Sequence, residues 1–150
     1  MENNPNKRVA VAEKRIAETL QRFFFFWLPL AGYMVLIFTL SSEPAPEDIP
    51  DIWNIDKLMH FMAYGVLSIL WLRALKKHWC KIRNKELIFL SFLFATLYGI
   101  SNEIYQHFIP YRTASIADAV ANGLGAYLFP FLYVKFSRTN NAKKGGNKCF

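Results

Sequence analysis

The chain has 150 residues, 53% of them hydrophobic and 17% aromatic, which is too apolar and too rich in Phe for a soluble domain of this size. A formal net charge of +7 would suit nucleic acid, but in so apolar a chain Lys and Arg report topology, and their distribution accounts for them below. Cys80 and Cys149 stand far apart without CxxC or Cys/His spacing and read as ordinary thiols, so no metal site and no cofactor is expected.

Residues 1–22 form a basic segment in which Val9, Ala12, Ile16 and Leu20 recur at helical spacing among Lys, Arg and Glu. This pattern fits a short helix lying on the membrane surface, or a frayed basic arm. Four apolar runs follow, each about the ~20 residues that a ~30 Å hydrocarbon core demands. They are Phe23 to Leu40, Leu58 to Leu75, a run from Leu87 that continues into "SNEIYQ", and Ile116 to about Phe136. A basic start before an apolar run also describes a signal peptide, but this run exceeds an h-region and no convincing cleavage site follows. None of the runs alternates at period two, which argues against a barrel. The expected fold is all-α: a four-span bundle over 23–136, preceded by the basic segment and followed by a disordered basic tail over 137–150.

Lys and Arg set the orientation. Sixteen of the eighteen fall before the first span, around the second connection and in the tail, leaving Lys57 and Arg112 alone on the other side. The positive-inside rule then places both termini in the cytoplasm. Trp27, Trp53, Trp71 and Trp79 read as interfacial anchors near span ends.

The same topology sends the polar residues of three spans to the outer side. Asp56, Lys57 and His60 open span two, Glu103 and Gln106 close span three, and Arg112, Ser115, Asp118 and Asn122 lead into span four. Asp56 and His60 are four apart, as are Asp118 and Asn122, and Glu103 and Gln106 are three apart, so each pair shares a helix face. Glu103 continues the small-residue stripe of Ala95 and Gly99, and Ala117, Ala121 and Gly125 run beside Asp118 and Asn122; small residues let helices approach, so the carboxylates should face inward. Pro110 should stop span three. Ser115, three before Asp118, looks like a helix N-cap, and Arg112 is near enough to pair with Asp118 or Glu103.

The segments "DKLMHFMAYGVL", "EIYQHFIPYR" and "ASIADAVANGLGA" together resemble the VanZ-like family of small bacterial membrane proteins. Its Asp-Lys-x-x-His, Glu-x-x-Gln and Arg followed by Asp-x-x-x-Asn-x-x-Gly fall here on Asp56, Lys57, His60, Glu103, Gln106, Arg112, Asp118, Asn122 and Gly125. Phe129 followed by Pro130 departs from relatives that continue with Gly. The resemblance implies four spans and a founding member linked to teicoplanin resistance; it implies no reaction.

Each polar residue also has a plainer account. His60 could be a core histidine, Glu103 with Arg112 a structural ion pair, and Asn122 an interhelical hydrogen bond. Their number exceeds what pinning a bundle needs, and three readings stay open. The first is a pocket built from Asp56, Lys57, His60, Glu103, Gln106, Arg112, Asp118 and Asn122 that binds or remodels a lipid-linked envelope intermediate or a lipoglycopeptide. The second is an enzyme with His60, Glu103 or Asp118 as catalytic group, and the third is a structural or assembly factor. The partners are the bilayer and such an amphiphile, not nucleic acid; nothing in the sequence sets the oligomeric state.

Overall fold

In a computed structural model the chain forms four helices, α1 (Pro5–Ser42), α2 (Trp53–His78), α3 (Asn84–Gln106) and α4 (Ile116–Lys143). The structure describes residues 5–43, 53–79, 82–109 and 115–143, and no strand occurs among them. Pro110, Arg112, Cys80, Cys149 and the tail from 144 onward lie outside the described residues, as do the side chains of residues 5–7, 53–54 and 140–143, Trp53 included. Helices α1, α2 and α3 are long and apolar enough to cross a membrane.

Helices α2, α3 and α4 pack mutually, with the α2–α4 pairing the most extensive, and α1 leans on α2 and, more lightly, on α3. Each helix buries one stripe. On α3 this is Leu87, Ser91, Ala95, Gly99, Asn102, Glu103 and Gln106, the steps of three and four that keep residues on one face. On α2 Tyr64, Leu67, Leu72, Ala74 and Leu75 are almost fully enclosed. The stripe of α4 is Asp118, Asn122, Ala126, Pro130 and Val134.

The α2–α4 contact depends on the absence of side chains. A Cβ on Gly125 would run into the Phe61 carbonyl oxygen, and one on Gly65 would lie 2.6 Å from the Phe129 ring. Phe61 and Phe129 meet edge to face beside this crossing, with centroids 5.5 Å apart. Phe129, at the point of departure from the family pattern, thus occupies the space that Gly65 leaves open.

One sequence expectation changes and another is extended. The surface helix expected before Phe23 is not separate: Gln21 and Arg22 are good helix formers, no Gly or Pro intervenes, and residues 5–42 run as one helix of 38 residues. Among the described residues its first half is open, with Val9, Ile16 and Leu20 all more than half exposed. Trp27 and Trp71 also pack against neighbouring helices. They meet edge to face at 6.0 Å, and Trp71 stacks on Phe94 at 4.7 Å, so these rings join α1, α2 and α3 within the bundle. Trp79, by contrast, is exposed.

Candidate functional site

The antiparallel order of the helices sets the last turn of α3 beside the first turns of α2 and α4. Lys57 Nζ donates to Asp118 Oδ1 at 3.2 Å. The Lys57 side chain is 18% exposed and that of Asp118 only 7%, so the pair is largely withdrawn from water. Asp118 also sits in the first turn of α4, where the helix dipole favours an anion. Ser115 starts that helix as expected, its Oγ accepting from the Ala117 N–H at 3.2 Å.

One turn deeper, His60 Nδ1 lies 3.1 Å from Asn122 Oδ1. Asn122 in turn donates through Nδ2 to Glu103 Oε1 at 3.4 Å. With Asn122 Oδ1 as the acceptor, His60 Nδ1 is the donor, and the other ring nitrogen, Nε2, lies 3.8 Å from Asp56 Oδ1. Glu103 Oε1 is also 3.7 Å from His60 Nδ1. The ring of Tyr64 lies parallel to that of His60 at 6.4 Å, forming the floor of the cluster.

Lys57, His60, Glu103, Asp118 and Asn122 therefore form one connected network across α2, α3 and α4. Asp56 stands at its rim with its side chain 53% exposed. Gln106 is buried at the same end of α3. Glu103 Oε2 is buried without a hydrogen-bond partner, as are the neighbouring Tyr64 hydroxyl and Asn102 Oδ1. Glu103 also lines a groove of about 420 Å³ between the end of α3 and the start of α4, whose other walls include Ile104, Phe108, Ile116 and Ala119.

Asp56, His60 and Asp118 offer ligand atoms within 4.8 Å of one another, a spacing loose for a first-row metal. The Lys57 ammonium already occupies Asp118, so a cation would have to displace it.

Sequence reasoning missed a fourth helix in this region. Asn102 Nδ2 donates to Ser41 Oγ at 2.6 Å, tying the end of α1 to α3 just below Glu103. Asn102 precedes Glu103 and is four residues from Gln106, which was a usable signal; Ser41 gave none, since Ser near a helix end is ordinarily a terminus residue. Tyr33 and Tyr98 add bonds from their hydroxyls to the carbonyls of Ala63 and Met34, at 3.3 and 2.6 Å, and so also hold α1 to the core. Ser41→Ala should lower stability by about 1 kcal/mol by leaving the Asn102 amide unsatisfied, measurable as a small fall in the melting temperature of the purified protein in detergent.

No curated protein and no solved structure matches the chain. The family model described as VanZ/LLP1 matches residues 8–137, from the basic part of α1 through all three polar segments to the last turns of α4. Three helices able to span a bilayer and this match over most of its length make the chain a membrane protein of the VanZ/LLP1 family.

Proposed function

We propose that the protein is a four-span bundle of the bacterial cytoplasmic membrane with both termini in the cytoplasm. Its polar cluster forms an outward pocket at head-group level that binds an amphiphilic envelope component, either a lipid-linked intermediate or a lipoglycopeptide such as teicoplanin. Residues Asp56, Lys57, His60, Glu103, Gln106, Asp118 and Asn122 make up the pocket; Arg112, which the sequence adds to them, lies outside the described residues. The distribution of Lys and Arg supports the orientation.

The observation that carries the reading is the placement of Glu103. It is 7% exposed, it keeps an unpartnered oxygen, and it lines an apolar groove. A hydroxyl or amide donor of a head group would satisfy that oxygen once the side chain turns toward the groove, while an attached acyl chain fills it. A soluble sugar or a bare anion has no use for the second half of this arrangement.

Binding of a polyprenyl phosphate, of teicoplanin and of teicoplanin stripped of its acyl chain to the purified protein tests this. Wild type should bind at least one of the acylated or prenylated probes, and Glu103→Gln should weaken that binding by about tenfold or more with an unchanged melting temperature. Equal binding of acylated and deacylated probe, or equal binding by wild type and Glu103→Gln, would defeat the proposal. Loss of the fold in Glu103→Gln would favour a structural role.

The enzymatic reading has one observation in its favour: His60 lies between the Asp56 and Glu103 carboxylates, as a general base held by an orienting acid does. Ser115 and Ser68 are poor nucleophile candidates, the first acting as a cap and the second donating to the Gly65 carbonyl at 2.8 Å. A covalent change in envelope lipids that tracks the protein, and disappears in His60→Ala, would select this reading.

A further inference from the structure

A second cavity lies at the end of the bundle opposite the polar cluster, between the first turns of α3 and the last turns of α4. Its volume is about 700 Å³. Phe89 and Phe92 wall it from α3, and Tyr127 and Phe131 from α4. Phe92 meets Tyr127 edge to face at 6.1 Å, and Tyr127 stacks on Phe131 at 6.3 Å, so the walls form one aromatic surface. Phe89 is 60% exposed and Tyr127 54%, which leaves this surface open to an apolar guest.

Both aromatic stripes end in cations at the same mouth. Lys85 is four residues before Phe89, Lys135 is four after Phe131, and Arg138 follows one turn later. The Asn84 amide oxygen, in the orientation that satisfies its surroundings, accepts from Arg138 Nε and Nη2 at 3.2 and 3.0 Å, holding the guanidinium over the cavity. Arg83, at the N-cap of α3, supplies no side-chain cap to the first-turn amides. Among the described residues no carboxylate forms an ion pair with Lys85, Lys135 or Arg138; the nearby Glu86 is bonded to Arg83 at 2.8 Å.

We propose that this cavity is a binding site for an anionic diacyl phospholipid, its head group held by Lys85, Lys135 and Arg138 and one acyl chain laid along the aromatic walls. The charge decides the class. A zwitterionic lipid offers the same phosphate but cancels it with its own cation, whereas three cations without a carboxylate favour a net negative head group. The cavity is independent of the Glu103 groove, so either site can fail without the other.

Native mass spectrometry of the full-length protein, titrated in detergent with dioleoylphosphatidylglycerol or dioleoylphosphatidylcholine, tests it. The expected result is a single adduct favouring phosphatidylglycerol by about tenfold or more. Lys85→Gln/Lys135→Gln/Arg138→Gln should erase that preference, and Arg8→Gln/Lys14→Gln/Arg15→Gln, which removes the same charge from α1, should keep it. Excess inorganic phosphate should not displace the lipid. Wild-type protein labelled with a phosphatidylglycerol carrying a diazirine on one acyl chain should be modified on the segments around Phe89 to Phe92 and Tyr127 to Phe131, a readout that needs no variant to fold. Equal binding of the two lipids, displacement by phosphate, a dimer in place of the adduct, or labelling confined to α1 or to the Glu103 end would overturn the assignment.

Discussion

Gly125→Ala is expected to push α2 away from α4 and to produce one of the largest losses of stability that a single methyl group can cause in this protein. The added carbon would occupy the place of the Phe61 carbonyl oxygen, and backbone cannot swing aside as the end of a side chain can. Overpacking of this kind costs about 1–3 kcal/mol even where side chains give way, so a value at or above the top of that range is expected. The Phe61–Phe129 contact and the Lys57–Asp118 pair both straddle the same interface, so they should weaken together. Gly123, two residues earlier, makes the control. A Cβ there meets nothing, and Gly123→Ala should raise stability slightly, because alanine is the better helix former by ~1 kcal/mol. Melting temperature and the monodisperse fraction in detergent would record both. A Gly125→Ala protein as stable as wild type would mean that α2 and α4 do not cross there.

The second large effect concerns Lys57 and Asp118. Lys57→Met would leave a carboxylate that is 7% exposed without its 3.2 Å partner, and breaking a buried pair from one side costs about 3–5 kcal/mol. Asp118→Asn should do less damage, since the amide still accepts from the ammonium and Asn remains tolerable in the first helical turn. The double variant Lys57→Met/Asp118→Leu should recover part of the loss of Lys57→Met, because an apolar pair needs no compensation. A double-mutant cycle of Lys57→Met, Asp118→Leu and the double variant, followed by unfolding in mixed micelles, gives the coupling directly. Additive effects of the two single changes would show that these side chains do not meet.

Much of this architecture could be read from the chain. The second and third spans lie within α2 and α3, and helix α4 begins at Ile116 as the Ser115 cap indicated, because caps and apolar runs are local features. The convergence of polar groups from α2, α3 and α4 on one end followed from spacing together with antiparallel topology, but the particular pairing of His60 with Asn122 and Glu103 did not. What stayed hidden depends on contacts between distant segments. Residues 5–42 form one helix because nothing near Leu20 breaks it, yet an amphipathic pattern giving way to an apolar one looks like a boundary in sequence. Trp27 and Trp71 read as anchors because a Trp near a span end commonly is one; their contact with each other comes only from the packing of α1 against α2. Asn102 was overlooked beside the more conspicuous Glu103, and its partner Ser41 lies 61 residues away. Lys85, Lys135 and Arg138 were spent on topology, and nothing local shows that they gather around one aromatic cavity.

The connected polar network on which the proposed pocket rests can be measured without any ligand. Nitrogen–carbon correlation spectra of uniformly labelled protein in lipid bilayers, recorded by solid-state NMR, report which side-chain groups touch. The account predicts cross-peaks from a His60 ring nitrogen to the side-chain carbonyl carbon of Asn122 and the carboxyl carbon of Glu103, and from Lys57 Nζ to the carboxyl carbon of Asp118. Spectra in which α2 and α4 still meet at Gly125 and Phe61, but these polar contacts are missing, would contradict it.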